Sequence, residues 1–188
     1  MYSHRAQNLH PLSRASALDS SLRHCLQKPE RILKPYVQKG MRVLDLGCGT
    51  GYFTLALAKM VGCEGLVNAV DVQAGMLTLL QKKLEHQPER SWIHLQQNTE
   101  HSLTLSHTYD FVLAFYTFHE VKYLAALLET LKKHLNPRAR ILVVEQYFHV
   151  SQRQFKAILE LMKTKGYKRK HTPHIFFSRA AVLEIQRT

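Results

Sequence analysis

The segment VLDLGCGTGYFT, Val43 to Thr54, constrains the fold more than any other part of the chain. An apolar run, a glycine-rich turn and a helix-like stretch follow one another without a gap. A strand running into a helix through such a turn is the building unit of an α/β sheet, and its glycines let the backbone come close to a bound cofactor. The glycines are Gly47, Gly49 and Gly51. A dinucleotide fingerprint starting at Gly47 needs glycine at position 52, where Tyr52 stands. A P-loop needs Lys and Ser or Thr after Gly51, where Tyr52 and Phe53 stand. The turn lacks the usual marks of either phosphate-binding loop.

The rest of the chain repeats the alternation. Met41–Leu46 reads as a buried strand, Phe53–Met60 as a helix, Leu66–Val72 as a strand and Met76–Leu84 as a helix. Trp92–Leu95 is a short strand and Phe111–Tyr116 a strongly apolar one. Leu124–Leu135 reads as a helix closed by Asn136-Pro137, and Ile141–Val144 as another buried strand. A helix around Phe155–Met162 follows. In the tail, HIFF and AVLEI are close enough to pair as an antiparallel hairpin, with Ser178 and Arg179 between them. Ahead of the first strand, Ile32, Leu33, Tyr36 and Val37 share a helical face that starts at Pro29 and stops at Gly40. Continuous apolar strands such as FVLAFY and ILVV fit a parallel sheet covered by helices on both faces.

The 188 residues suffice for one domain with a proper core. No apolar run of about eighteen residues appears, so no membrane-spanning segment is expected. Three cysteines, Cys25, Cys48 and Cys63, are odd in number and lack metal-ligand spacing. They suit a reducing cytoplasm, and no metal is expected. The acid-poor first 27 residues carry Ser, Arg and His, a faint transit-peptide signature. The net charge of +12 is uneven. Residues 1–40 hold seven Lys/Arg against two Asp/Glu, residues 41–139 nine of each, and residues 140–188 ten against three. Basic ends favour anionic partners or a soluble surface.

Asp71 ends the second strand, 20 residues past Gly51. A carboxylate there can accept hydrogen bonds from both hydroxyls of a ribose. Together DLGCGTG and AVD resemble the first two motifs of the class I S-adenosylmethionine-dependent methyltransferases. The resemblance spans about residues 28–188. The stretch LSRASALDSSLRHCLQKPERILKPYV is similar to the N-terminus of small prokaryotic members, which puts residues 12–27 in the fold and weakens the transit-peptide reading. The family fold implied is a Rossmann-like, doubly wound, mostly parallel seven-stranded sheet with helices on both faces, ending in an antiparallel hairpin. It implies one domain over 1–188, with a lid or entry segment over 1–38 and the core over 39–188.

The resemblance also implies site residues for S-adenosylmethionine and its product S-adenosylhomocysteine. Gly47, Gly49 and Gly51, with Cys48 in their turn, pass under the methionine part. Asp45 helps to hold its amino group. Asp71 binds the ribose diol and Val72 lies against adenine. Asn98, with Thr99 beside it, stands where an acidic residue often meets the adenine amino group. Ala114 and Phe115 reach the cofactor through backbone.

Methyl transfer is an in-line displacement, so the protein must above all align nucleophile, methyl carbon and sulfur. Tyr116, His119 and Glu120 follow the fourth strand, and His119 is the candidate general base, with Tyr116 beside it as a second catalytic candidate. The alternative for His119 and Glu120 is a plain helix start. Tyr2, His4 and His10 lie in the segment that would fold over the pocket. A small-molecule acceptor fits a chain with no room for a large recognition domain. An RNA or protein acceptor is the alternative, supported by KTKGYKRK at residues 163–170. No Asn-Pro-Pro-Tyr-like tetrapeptide and no Pro-Cys pair accompanies it. A non-catalytic cofactor-binding protein is the third reading.

Overall fold

The computed structural model describes residues 27–186. The residues before 27, with Tyr2, His4, His10, Cys25 and most of the expected lid, lie outside that range. The elements are α1 (Pro29–Leu33), β1 (Arg42–Leu46), α2 (Thr54–Val61), β2 (Leu66–Asp71), α3 (Ala74–Leu84), β3 (Ile93–Gln97), β4 (Tyr109–Phe115), α4 (Leu124–Lys133), β5 (Leu135–Gln146), α5 (Gln152–Thr164), β6 (Tyr167–His171) and β7 (Ser178–Ile185). Short 3-10 turns stand at Pro88–Trp92 and Phe118–Glu120.

The strands form one sheet in the order β3-β2-β1-β4-β5-β7-β6. The first five are mutually parallel, and β7 runs antiparallel to both β5 and β6. This is the mostly parallel, doubly wound sheet expected from the sequence. Period-two alternation sorts the strand residues between two cores. Val43, Val67, Phe111, Leu113, Leu142 and Val144 pack with Leu33 of α1, Leu57 of α2 and Leu80 of α3. Leu44, Val112, Ile141, Val143 and Leu183 pack on the other face with Leu128 of α4 and with Phe155 and Ile158 of α5. Because both faces are covered, central strands read as unbroken apolar runs. The chain winds outward from β1 to β3, then crosses back to place β4 on the other side of β1. Order reverses there, and a crevice opens at the carboxyl ends of β1 and β4.

Three elements differ from the sequence reading. The helix at Pro29 stops after five residues at Leu33, because Pro35 cannot donate the next helical hydrogen bond. Tyr36 and Val37 are buried all the same, in the turn that follows. Strand β5 starts at Leu135 and takes in Asn136-Pro137, which were expected to close the helix. Its pairing with β4 shifts from Tyr109↔Leu135 to Phe111↔Arg140, so the proline sits in an irregularity where no ladder bond is needed.

The third difference is the hairpin. Its first strand is not HIFF but Tyr167–His171, the second half of the cationic cluster. HIFF forms the connecting loop, with Ile175 buried and Phe176 and Phe177 exposed. The anchor is Tyr167, 1% exposed, whose hydroxyl donates to the Leu128 carbonyl at 2.6 Å. One buried aromatic is enough to seat an edge strand, and the cations beside it suit an edge that must not recruit further strands.

We expect Tyr167→Phe to lose about 1 kcal/mol of unfolding free energy, the net worth of a buried hydrogen bond. Tyr167→Ala should lose about 3–5 kcal/mol by leaving a cavity. Urea unfolding measures both. A negligible loss for Tyr167→Ala would return β6 to a surface loop.

Candidate active site

The site is built on the turn between β1 and α2. Gly47 and Gly51 have left-handed backbone angles, φ 72° and 83°. A side chain at Gly47 would also collide with Thr117, whose hydroxyl caps β1 by donating to the Leu46 carbonyl at 3.0 Å. A side chain at Gly51 would collide with Leu80 of α3. The two glycines therefore serve different ends. Gly47 keeps the turn close to the segment after β4. Gly51 packs the turn against a helix and faces a separate shallow depression beside Lys28 and Pro29.

Asp71 fixes the turn from the end of β2. One carboxylate oxygen accepts from the Gly49 N–H at 2.9 Å and the other from the Gln73 N–H at 2.9 Å. Burial pushes its pKa up, opposed by the backbone donors of Gln73, Gly49 and Val72. Asp45 is 3% exposed and accepts from the Thr54 hydroxyl at 2.7 Å. Burial pushes its pKa up to about 7, against the Thr54 bond and with help from nearby Asp71. The Cys48 thiol is driven well above its ordinary value by burial and by both carboxylates, so it stays protonated and inert.

These groups open onto a cavity of about 380 Å³ at the carboxyl ends of the strands. Its wall includes Asp45, Gly47, Cys48, Gly49, Asp71, Val72, Asn98, Thr99, Phe115, Tyr116 and His119. Of the residues singled out in the sequence, Gly51 and Ala114 do not line it; Ala114 is wholly buried inside β4. Asn98 donates its backbone N–H to the Asp71 carbonyl at 3.0 Å, and its side-chain oxygen accepts from Gln96 at 3.0 Å. Its Nδ2 is buried and has no partner among the described residues. Such a donor is costly unless a ligand meets it.

Tyr116 has φ 62°, a strained angle for a residue with a side chain. Its hydroxyl is 2.6 Å from Gln27 Nε2 and 2.8 Å from the Ser178 hydroxyl. Tyr52 donates to the Gln27 carbonyl at 3.0 Å. Gln27 thus ties the segment before α1 to two tyrosines of the cavity wall. The outer wall is closed by Lys122 and Glu100, paired at 2.8 Å, and by His101 and Tyr123, whose rings meet edge-on at 4.8 Å.

His119 sits in the 3-10 turn after β4 with its side chain 10% exposed. Its Nδ1 lies 2.7 Å from Glu145 Oε2, and its backbone N–H donates to Glu145 Oε1 at 3.1 Å. Glu145 has no exposed surface. The sequence reading missed it, although a carboxylate directly after ILVV, at the carboxyl end of a parallel strand, was a visible signal. Burial lowers the His119 pKa, but the hydrogen bond and charge of Glu145, with the charge of Glu120, outweigh it, and the net shift is upward.

The sequence profile of a methyltransferase domain matches residues 17–185. The chain belongs to the methyltransferase domain family. A solved S-adenosylmethionine-dependent methyltransferase from Aquifex aeolicus superposes on this methyltransferase domain with a TM-score of 0.85, at 25% identity, over 95% of this chain and 100% of that one. The sheet is thus the class I methyltransferase fold. The demethylmenaquinone methyltransferase of Anoxybacillus flavithermus is 27% identical over 135 residues, 70% of this chain and 56% of the relative. That of Lactiplantibacillus plantarum is 33% identical over 112 residues, 58% of this chain and 47% of the relative. The methyltransferase domain spans about half the length of these curated relatives.

The raised pKa of Asp45 has a consequence for folding. The folded chain holds this proton more tightly than the unfolded chain, whose value is near 3.8. The associated stability is therefore present below that value and is lost as pH rises through about 7. We expect Asp45→Asn, which still accepts from Thr54, to remove a pH-dependent loss on the order of a few kcal/mol across that window. Urea unfolding of parent and variant at several pH values tests this. Parallel pH profiles would place the Asp45 proton elsewhere.

Proposed function

We propose that the protein is an enzyme that transfers the methyl group of S-adenosylmethionine to a small molecule bound in this cavity. The observation that carries the reading is Asp71 at the end of β2, holding the Gly47–Gly51 turn while lining the cavity. The residues present fit the cofactor. The turn keeps Gly47 and Gly49 free of side chains at the cavity wall. A carboxylate has about four lone-pair sites, so Asp71 keeps an acceptor site for a ribose hydroxyl beside its three backbone donors. The unpartnered Nδ2 of Asn98 is a donor for an adenine ring nitrogen, the reverse of the acceptor role expected for that side chain. Asp45 would meet the methionine ammonium, and Val72, Thr99 and Phe115, which line the cavity, would flank the adenosine. Cys48 supports its portion of the turn.

S-adenosylmethionine supplies the methyl carbon on a positively charged sulfur that leaves as a thioether. The chain's part is to hold, orient and exclude water. We assign Tyr116 to the wall of the cleft, since its hydroxyl is already engaged by Gln27 and Ser178. His119 is the group placed to handle a proton.

A small acceptor is favoured by a cavity within the range for small-molecule sites. The relatives named for demethylmenaquinone methylation agree with it. The cationic cluster that favoured RNA ends on β6, at the far edge of the sheet from β1. Among the described residues no helix is long and apolar enough to cross a membrane. An exposed free thiol at Cys63 fits a reducing compartment, and we place the protein in the cytoplasm.

The test is incubation with methyl-labelled cofactor and fractionated cell extract. Label should appear in the small-molecule fraction. Salt-sensitive label in RNA that disappears when Lys168, Arg169 and Lys170 are replaced together would transfer the reading to RNA. Asp71→Ala should weaken binding of S-adenosylhomocysteine by about 1.5–3 kcal/mol, the worth of hydrogen bonds to a charged acceptor. Unchanged affinity in a folded Asp71→Ala protein would refute the ribose assignment.

A further inference from the structure

Glu145 is wholly buried, and a buried carboxylate is costly without compensation. Both its oxygens are directed at one residue. Oε1 accepts the His119 backbone N–H at 3.1 Å, and Oε2 is 2.7 Å from His119 Nδ1. The short contact to Nδ1 needs a proton on that nitrogen, since a carboxylate only accepts. It therefore fixes the tautomer and leaves the Nε2 lone pair as the basic site. The nearest carboxylate to Nε2 is Glu120 Oε1 at 3.8 Å, too far for a hydrogen bond. The His149 ring stands edge-on, its centre 5.7 Å from that of His119. Among the described residues, Glu145, Glu120 and His149 are the titratable groups facing this imidazole. The adjoining wall of the cavity is mixed, with Leu103, Val121 and Leu127 alongside the Lys122–Glu100 pair and the Tyr123 ring.

This arrangement is more than alignment of a ready nucleophile requires, because an acceptor already bearing a free electron pair needs no base. We propose that the methyl acceptor is a molecule with a phenol-type hydroxyl, and that Glu145 positions His119 to take its proton. The proposal rests on the methyl-transfer reading above. A phenol has a reference pKa of about 10, close enough to imidazole for efficient proton transfer, whereas an aliphatic hydroxyl is far less acidic. In the step, the acceptor O–H bond breaks and its proton goes to His119 Nε2. The freed oxygen pair forms the bond to the methyl carbon as the carbon–sulfur bond breaks, its pair remaining on sulfur. The products are a methyl ether, the thioether and one proton, which His119 returns to solvent. Glu145 is a positioning residue, since it acts through His119.

Glu145→Gln preserves size and can still accept from the His119 backbone. The first measurement is an NMR titration of the His119 ring in the full chain, assigned by comparison with His119→Gln. The parent should titrate above the ordinary 6.5, and Glu145→Gln should titrate lower. The second uses labelled cofactor with two probes, naphthol and para-nitrophenol, the latter already largely ionised at mildly alkaline pH. With naphthol, Glu145→Gln should lower kcat about 100-fold and leave KM nearly unchanged. Its acid limb should move to lower pH. With para-nitrophenol the loss should be much smaller. An unchanged His119 titration, equal losses on both probes, or labelling of benzylamine or a thiol in place of either phenol would overturn the proposal. Binding of S-adenosylhomocysteine, measured in the same samples, separates the two levels of failure. If it binds and no phenol is labelled, the acceptor class is wrong. If it does not bind, the methyl-transfer reading itself fails.

Discussion

The structure depends on one carboxylate. Asp71 stands at the end of β2 and accepts the N–H groups of Gly49 and Gln73 at the same distance, 2.9 Å. The first bond ties β2 to the turn after β1. The second starts the chain toward α3. The turn's own N–H groups at Gly47 and Cys48 reach the Val70 carbonyl, so with the Gly49 bond the two strand ends are sewn together by three hydrogen bonds. A crevice at a point of strand reversal is an automatic product of the doubly wound topology. Its chemistry is not automatic. It comes from keeping charged and polar groups buried, Asp71 and Asp45 in its lining and Glu145 behind His119, all nearly or wholly without exposed surface.

Burial has a different effect on each. Asp45 has Thr54 as a neutral partner, so desolvation dominates and its carboxyl holds its proton to about pH 7. Asp71 is opposed by three backbone donors, which limit the same upward push. Glu145 has the imidazole of His119, and the pair compensate each other in a place where either alone would be costly. Three carboxylates toward the carboxyl ends of β1, β2 and β5 thus take on a proton-holding, a clamping and an orienting role. Their environments set the difference.

The fold was legible because its signals are local. The unbroken apolar runs FVLAF of β4 and ILVV of β5 follow from coverage on both faces, and a reader of sequence sees that coverage directly. The cavity floor was legible for a similar reason. A strand, a glycine turn and an acid at the next strand end are fixed by backbone geometry within thirty residues. What spacing cannot show is which side of a turn faces a ligand. Gly51 belongs to the same motif as Gly47, yet it packs on Leu80. Ala114 is one residue from the cavity and turned into the core, as alternation along a strand requires. Glu145 was hidden by its neighbours, because an acid after ILVV reads as the strand's end until β4 and β5 are placed side by side. Strand β6 was hidden by its charge. Its single buried tyrosine acquires meaning from the Leu128 carbonyl, 39 residues away.

The central claim is that the turn and Asp71 bind S-adenosylmethionine and not another nucleotide. Calorimetric titration of the full chain with S-adenosylhomocysteine, and separately with a nicotinamide dinucleotide, tests it most directly. The account expects binding of the first with a Kd in the micromolar range, on the order of −8 kcal/mol, and no heat from the second. Binding of the dinucleotide with no response to S-adenosylhomocysteine would contradict it.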